Sequence, residues 1–428
     1  MKSTHRFSTH ALGLGLVAAT LFAATAPAAT AQGFYLKAGD TVVFYGDSIT
    51  EQNYYNQWVE LYTVTRFPAM RVHFFGEGVG GDRVTGGGGG PIDERLARDV
   101  FPHKPTVIAI MLGMNDGSYQ PATGKIESDY TTGYEHLLQS MRTNAPGARL
   151  TLLGPSPYDE VTRAPMFPGG YNAVMEHFAG IDRGLAQKYG ALFVDLNPPV
   201  VRTIEKAEAF DPEIARLLLP DRVHPDPLAH WVMAMALLKG WNAPALVSSV
   251  TIDGSAAKLV AAENATVDHV DRANGTLRWT ATENALPLPL NTGNATTALL
   301  EKLTGIEQAL NRESLTVTGL DPGLYTLRID GSPIGHFTAS DFASGVNLAD
   351  YGTPMRHQAE RVSWLVRDHD EANYIHLRMK IRNAEMGGPE GKDVLDKFES
   401  SLEDSIYETA APTPHVFEVR PADAPDQP

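Results

Sequence analysis

The run Val42-Val-Phe-Tyr-Gly-Asp-Ser48 carries four apolar-to-aromatic residues into a glycine, an acid and a serine. A serine hydroxyl is a weak nucleophile on its own. It becomes effective when a base takes its proton, a third group orients that base, and N–H donors meet the charge developing on the attacked oxygen. A base with a partner stands in LPDRVHPD, where Asp221 precedes His224 by three residues. A turn of that length places the carboxylate on one imidazole nitrogen and leaves the other for Ser48. His230, in the segment that follows, is expected to be packed or capping. Donors are available in two glycine-bearing stretches, Gly76-Glu-Gly78-Val-Gly80-Gly81-Asp82 and Gly113-Met-Asn115-Asp116. Glycine lets main-chain amides approach closely, and Asn115 adds a side-chain amide. Taken singly, each stretch reads as an ordinary tight turn. Gly76-x-Gly78-x-x-Gly81 also has dinucleotide-loop spacing, but no acid stands about 20 residues further on at a strand end, so that reading is set aside.

These segments need elements to hold them. From about residue 40 to 245 short apolar runs alternate with stretches of helical period. TVVFYG (41–46), MRVHFF (70–75), TVIAIML (106–112), RLTLLG (149–154) and ALFVDL (191–196) read as strands. Helices are expected at 54–67, briefly at 92–100, and at 128–143, 171–188 and 226–240. Such alternation predicts a parallel sheet covered on both faces, with its functional groups at the carboxyl ends of the strands. The fold class is therefore α/β: a flavodoxin-like three-layer α/β/α arrangement with a five-stranded parallel sheet, followed by a smaller β-rich region and a helical C-terminal segment. The five glycines 86–90 are expected to form a mobile loop.

Taken in order, Gly46-Asp47-Ser48, Gly78, Gly113-x-Asn115-Asp116 and Asp221-x-x-His224 resemble the landmarks of the SGNH hydrolase superfamily, the GDSL-like esterases and lipases. The resemblance spans roughly residues 38–245. One departure is Gly76, where the family often has asparagine. The resemblance implies a Ser48–His224–Asp221 triad and an oxyanion hole made by the Ser48 and Gly78 amides and the Asn115 side chain. Asp47 and Asp116 would support their loops. No metal and no cofactor are implied. The implied activity is ester hydrolysis, and small acyl groups on a glycan are the expected substrate. Tyr119, Tyr158, Asp159, Glu160, Arg163 and Tyr171 suit a sugar ring. The alternatives are an acylhydrolase acting on other esters and an envelope glycan-binding protein whose catalytic fold is retired.

The bulk properties fit an exported protein. Of 428 residues, 35 are Lys or Arg and 51 Asp or Glu, a formal charge of −16. That charge disfavours nucleic acid and anionic membranes as partners. With no cysteine, disulfides and thiolate chemistry are excluded. Lys2 and Arg6, the apolar ALGLGLVAATLFAA and the small residues Ala29-Thr-Ala31 read as a signal peptide, residues 1–31, cleaved before Gln32. A secreted or periplasmic bacterial location is expected, with no membrane span in the mature chain.

The expected domains are a catalytic part over 34–247, a β-rich part over 248–340, a helical segment over 341–410 and a Pro-rich tail over 411–428. LTVTGLDPGLYTLRIDGSPIGHFTA (315–339) reads as a β-meander, and a strand is possible at 415–419. GLDPGLYTLRIDG and GVNLADYGTPM resemble the C-terminal half of some long secreted bacterial GDSL-like proteins. Either a scaffold or a carbohydrate-binding role is open for it, with Trp279, Trp364 and Tyr374 the candidate sugar platforms.

Overall fold

In the computed structural model the first strand, β1 (Thr41–Gly46), and its neighbour β3 (Val107–Met111) are buried along almost their whole length. Such strands must be apolar on both faces, which is why TVVFY and VIAIM show no alternation. The structure describes residues 33–290, 295–381 and 388–422 besides Met1. The expected signal segment lies outside them.

The chain passes from β1 through a one-turn helix, α1 (Ser48–Glu51), into α2 (Tyr54–Arg66) and then β2 (His73–Gly78). After β3 come α3 (Gly124–Asn144), β4 (Arg149–Gly154), α4 (Asn172–Tyr189) and β5 (Leu192–Asp195). The five strands form one parallel sheet in the order β2-β1-β3-β4-β5. The expected α/β sheet is present, with two differences of detail. The strand expected at 70–75 runs three residues later, because Arg71 adopts a left-handed conformation (φ 46°) after a 3₁₀ turn at Pro68–Met70. The segment between β5 and His224 contains two helices that the sequence reading omitted, α5 (Asn197–Phe210) and α6 (Pro212–Leu218). Both begin with proline in the first turn, where the missing N–H costs nothing. The last helix of this part is α7 (Pro227–Gly240), capped by the Asp226 side chain.

The remainder builds two further sheets. The strands β6 (Leu246–Asp253), β7 (Lys258–Glu263), β8 (Ala265–Ala273) and β9 (Thr276–Glu283) precede helices α8 (Ala295–Thr304) and α9 (Ile306–Leu310). Then come β10 (Arg312–Thr318), β11 (Leu324–Ile329), β12 (Ser332–Thr338), α10 (Ala339–Ser344), α11 (Pro354–Ile381), α12 (Gly388–Ala410) and β13 (His415–Pro421). One sheet has the order β8-β9-β13-β11-β12, and β10, β6 and β7 lie side by side in another. The expected meander over 315–339 is therefore only the β11–β12 hairpin, since β10 pairs in parallel with β6 in the other sheet. The Pro-rich tail expected over 411–428 contributes a central strand: β13 sits between β9 and β11. Trp279 on β9 is 1% exposed and stacks on Phe417 of β13, so it is core and not a platform.

The described residues from Phe34 onward form one compact unit. Buried Arg66, at the end of α2, donates to the Pro244, Leu246 and Leu310 carbonyls and so ties the first sheet's helices to the second half. Helix α11 covers the outer edge of β2, where Asn373 Oδ1 accepts from the Gly76 amide at 2.9 Å. An edge strand presents unpaired amides, and a covering helix with a polar side chain satisfies one. Among the described residues no helix is long and apolar enough to cross a membrane.

Candidate active site

Gly46 closes β1 because nothing larger fits. A Cβ there would lie 2.2 Å from Thr50 Oγ1 and 2.7 Å from the Met111 carbonyl. Asp47 then caps α1, its Oδ1 accepting from the Ile49 amide at 3.0 Å. Ser48 thereby opens a helical turn at the carboxyl edge of the sheet. Asp47 is 1% exposed, and burial pushes its carboxyl up to about 7 against the Ile49 bond, with Asp116 and Asp82 adding to the rise.

His224 reaches this serine from the loop between α6 and α7. Its Nε2 is 2.8 Å from Ser48 Oγ, and its Nδ1 is 2.6 Å from Asp221 Oδ2. The other carboxylate oxygen of Asp221 accepts from the Val223 and His224 amides at 3.0 and 2.8 Å. Burial works to raise this carboxyl, but the His224 amide and imidazole and the Val223 amide outweigh it and hold it below the usual range. The loop is braced from outside. Arg222, left-handed at φ 77°, packs over the Tyr158 ring, and Arg163 donates to the Leu219 and Pro220 carbonyls. His230 is buried, donates from Nε2 to Gln52 Oε1 (2.9 Å), and stacks on Tyr55. Burial, with His224 nearby, brings it down to about 3, so it stays neutral.

The donor side differs from expectation at one residue. Directly after β2 the Val79 amide points at β1, bonding the Gly46 carbonyl, while in the strand that of Gly76 points out at α11. Amides alternate along a strand, so the Gly78 amide also points outward, away from Ser48. Gly78 is glycine for another reason: a Cβ would lie 2.3 Å from the Glu51 nitrogen and 2.6 Å from the Thr50 carbonyl carbon. It lets α1 lie against β2. The glycines beside Ser48 are the next pair. A Cβ on Gly80 would be 3.8 Å from Ser48 Cβ, and Gly81 has φ +80°. The turn Val79–Asp82 is closed by Asp82 N–H to the Val79 carbonyl, leaving the Gly80 and Gly81 amides at its tip. Asn115 Nδ2 donates to the Asp82 carbonyl at 3.1 Å, which brings the carboxamide to the same turn.

Two buried acids hold the donor loops. Asp116 Oδ1 accepts from the Val84 amide at 3.0 Å, and burial raises its carboxyl to about 6. Asp82 pairs with fully buried Arg95, which also donates to the Glu77 carbonyl and pairs with Asp99. The sequence reading missed Arg95, because a buried arginine in an amphipathic stretch looks like any exposed one. The same arginine orders the glycine run. Gly86–Gly87 pair with Gly90–Pro91 in a tight hairpin, and a Cβ on Gly89 would lie 2.3 Å from the Arg95 side chain. These glycines serve close packing, not mobility.

Of the residues expected to meet a sugar, most are structural. Tyr171 is buried and donates to the Met114 carbonyl, Glu160 accepts from the Tyr171 and Asn172 amides, and Asp159 pairs with Arg163. Of Tyr119, Tyr158 and Tyr171 only Tyr119 stays open, 36% exposed, packed at 5.0 Å on Tyr171. A cleft of about 880 Å³ opens at Ser48 and His224, and its far wall is α11, through Arg367, Tyr374 and Arg378.

Among the described residues two groups could place histidine and carboxylates around one cation: Glu60, His369 and Asp370, and His376, Asp396 and Glu399. In the first, burial works against a charge on His369, but Glu60 and Asp370 hold it up at about 9. His369 Nδ1 lies 3.4 Å from Glu60 Oε1, a buried contact that docks α11 on α2.

Residues 44–232 match the model of the GDSL-like lipase/acylhydrolase family. This part of the chain is an SGNH-type, GDSL-like hydrolase domain. It is a carboxylic ester hydrolase. An acetylxylan esterase of Geobacillus stearothermophilus is 24% identical in an alignment of 226 residues that covers 47% of this chain and 94% of that one. A solved structure described as BT4096, a gut microbial diltiazem-metabolizing enzyme, is 27% identical, with a TM-score of 0.80 over 90% of this chain and 98% of its own. That likeness runs through the second half as well as the hydrolase part. A GDSL-like lipase from Parabacteroides merdae aligns with 49% of this chain at 20% identity and a TM-score of 0.41.

Proposed function

We propose that the protein is an exported serine esterase that removes small acyl groups, acetyl foremost, from carbohydrate. The observation that carries the reading is the unbroken line Asp221–His224–Ser48, with hydrogen-bond distances of 2.6 and 2.8 Å. Ser48 donates its proton to His224 Nε2 as Oγ attacks the ester carbonyl. The imidazolium formed is stabilised by Asp221, and its proton passes to the departing alcohol oxygen. Water then enters by the same route and releases the acid. The developing oxyanion is met by the Ser48 amide, the Gly80–Gly81 turn and the second N–H of Asn115. Gly78, the glycine expected in this role, is replaced by that pair because its own amide faces the sheet edge.

Acetylated carbohydrate is favoured by the acetylxylan esterase relative and by exposed Tyr119, four residues after Asn115. A second reading, an acylhydrolase on non-carbohydrate esters, is favoured by the neighbour that aligns over 90% of the chain and is named for diltiazem. Export rests on the N-terminal pattern, and N-terminal sequencing of the mature protein should begin at Gln32. The deciding assay is hydrolysis of p-nitrophenyl acetate, butyrate and octanoate by the enzyme and by Ser48→Ala. Activity on acetate that disappears in the variant is expected. A large preference for octanoate removes the small-acyl reading, and equal rates for enzyme and variant remove the serine mechanism.

A further inference from the structure

The cleft beside Ser48 has walls of different origin. One is built from the residues following the nucleophile, including Tyr54, and from the His224 loop. The other is α11, more than 130 residues further along the chain. His224, Asp221 and Pro225 line this cleft. The side matters, because His224 must hand its proton to the alcohol oxygen as the ester breaks. The alcohol therefore has to lie within reach of Nε2, on the His224 side of Ser48, where the cleft is.

We propose that α11 forms the subsite for the alcohol portion of the ester, with Tyr374 as its ring platform and Trp364 as a second platform further out. The C-terminal region then sets leaving-group specificity. This deepens the esterase reading above and rests on it.

Three observations carry the proposal. Trp364, Arg367, Glu371, Tyr374 and Arg378 recur at intervals of three and four, so they form one stripe along the helix. All but Trp364 line the cleft, and Trp364 continues the stripe outward. Tyr374 is fixed relative to the nucleophile: Arg378 Nε donates to its hydroxyl at 3.2 Å, the guanidinium lies 5.3 Å from its ring centre, and the same arginine pairs with Glu51, three residues after Ser48. Trp364 is 60% exposed, a large indole surface left to water. Ten residues of helix set the two rings about 15 Å apart along the axis. That spacing, with Arg367 and Glu371 between the rings as hydrogen-bonding groups, suits a chain of sugar rings better than a single short alcohol. Five carboxyl groups line the cleft (Glu51, Asp221, Asp226, Asp370 and Glu371) against the guanidinium groups of Arg367 and Arg378. This balance favours a neutral glycan over a polyanionic one.

The test keeps the acyl group constant and varies the alcohol: methyl acetate, acetylated xylobiose and acetylated xylotetraose. Tyr374→Ala is expected to lower kcat/KM about tenfold on both oligosaccharide esters, through KM, and to leave methyl acetate unchanged. Tyr374→Phe, which keeps the ring, restores most of the loss. Trp364→Ala, a surface change, should affect the tetraose ester alone. Equal losses on all three substrates, or none on any, overturn the proposal while leaving the serine mechanism standing. If the wild type cleaves methyl acetate and neither oligosaccharide ester, the carbohydrate reading fails separately. Phenyl against methyl acetate then decides the subsite: a loss in Tyr374→Ala confined to the phenyl ester supports it, and unchanged ratios overturn it.

Discussion

Replacing Asp47 with asparagine separates the structural cost of this loop from its chemistry. The carboxyl is buried at the start of α1 and stands at about 7 against an ordinary 3.8. The difference is about 3 units, or roughly 4 kcal/mol at 1.36 kcal/mol per unit, which is the cost of keeping the group ionised inside the fold. Between pH 4 and 7 the unfolded chain gives up this proton and the folded protein keeps it. The folded state thus binds more protons, and the contribution to stability falls as pH rises, levelling off above about pH 8. Asparagine retains the Oδ1 acceptor for the Ile49 amide and never ionises. The stability of Asp47→Asn relative to wild type should therefore improve by about 3 kcal/mol between pH 4.5 and pH 8, most of the full value because titration of the unfolded chain has already begun at the lower pH. Urea denaturation of both proteins at the two pH values measures this, and the comparison cancels the other buried acids. A gap between the two proteins that is the same at pH 4.5 and pH 8 would refute the reasoning.

Two further substitutions test the site. Asp221→Asn should lower kcat by roughly two to four orders of magnitude with little change in KM, since the imidazolium loses its counter-charge and its fixed tautomer; a change confined to KM would contradict this, and steady-state kinetics on p-nitrophenyl acetate decide it. Gly78→Ala would drive a Cβ to 2.3 Å from the Glu51 nitrogen, an atom of backbone that cannot swing aside, and should cost about 3 kcal/mol or more, read as a lower urea midpoint; an unchanged midpoint would show that α1 does not approach β2 so closely.

What could be read early followed from local pattern. The strands β1, β3 and β4 are apolar runs of strand length, α2 and α4 carry a helical period, and α7 has its own cap in Asp226, so their existence needed no partner. β2 was harder because its carboxyl half is Gly-Glu-Gly. The buried Glu77 is met by His103 at 2.7 Å, 26 residues away, and by Lys380 at 3.9 Å, about 300 residues away. The tail strand β13 shows alternation in HVFEVR, yet its central position depends on β9 and β11, whose pairing no local signal encodes.

The sequence by itself supplied the residue types of the proposed chemistry: a serine behind Gly-Asp, a histidine three residues after a carboxylate, and an asparagine after a glycine. Their functional placement was legible too, since a parallel sheet gathers the ends of its strands on one edge. Only the tertiary structure decided which glycine faces the serine, because amide direction depends on the strand's neighbours and not on residue type. It alone brought Arg95 under the donor loop and Arg66 between the two halves. It also brought α11 across the edge of β2, making one wall of the cleft from residues that the chain supplies some 320 positions after the nucleophile. Contacts of that separation arise from packing two surfaces together, and a linear pattern of residue types does not specify them.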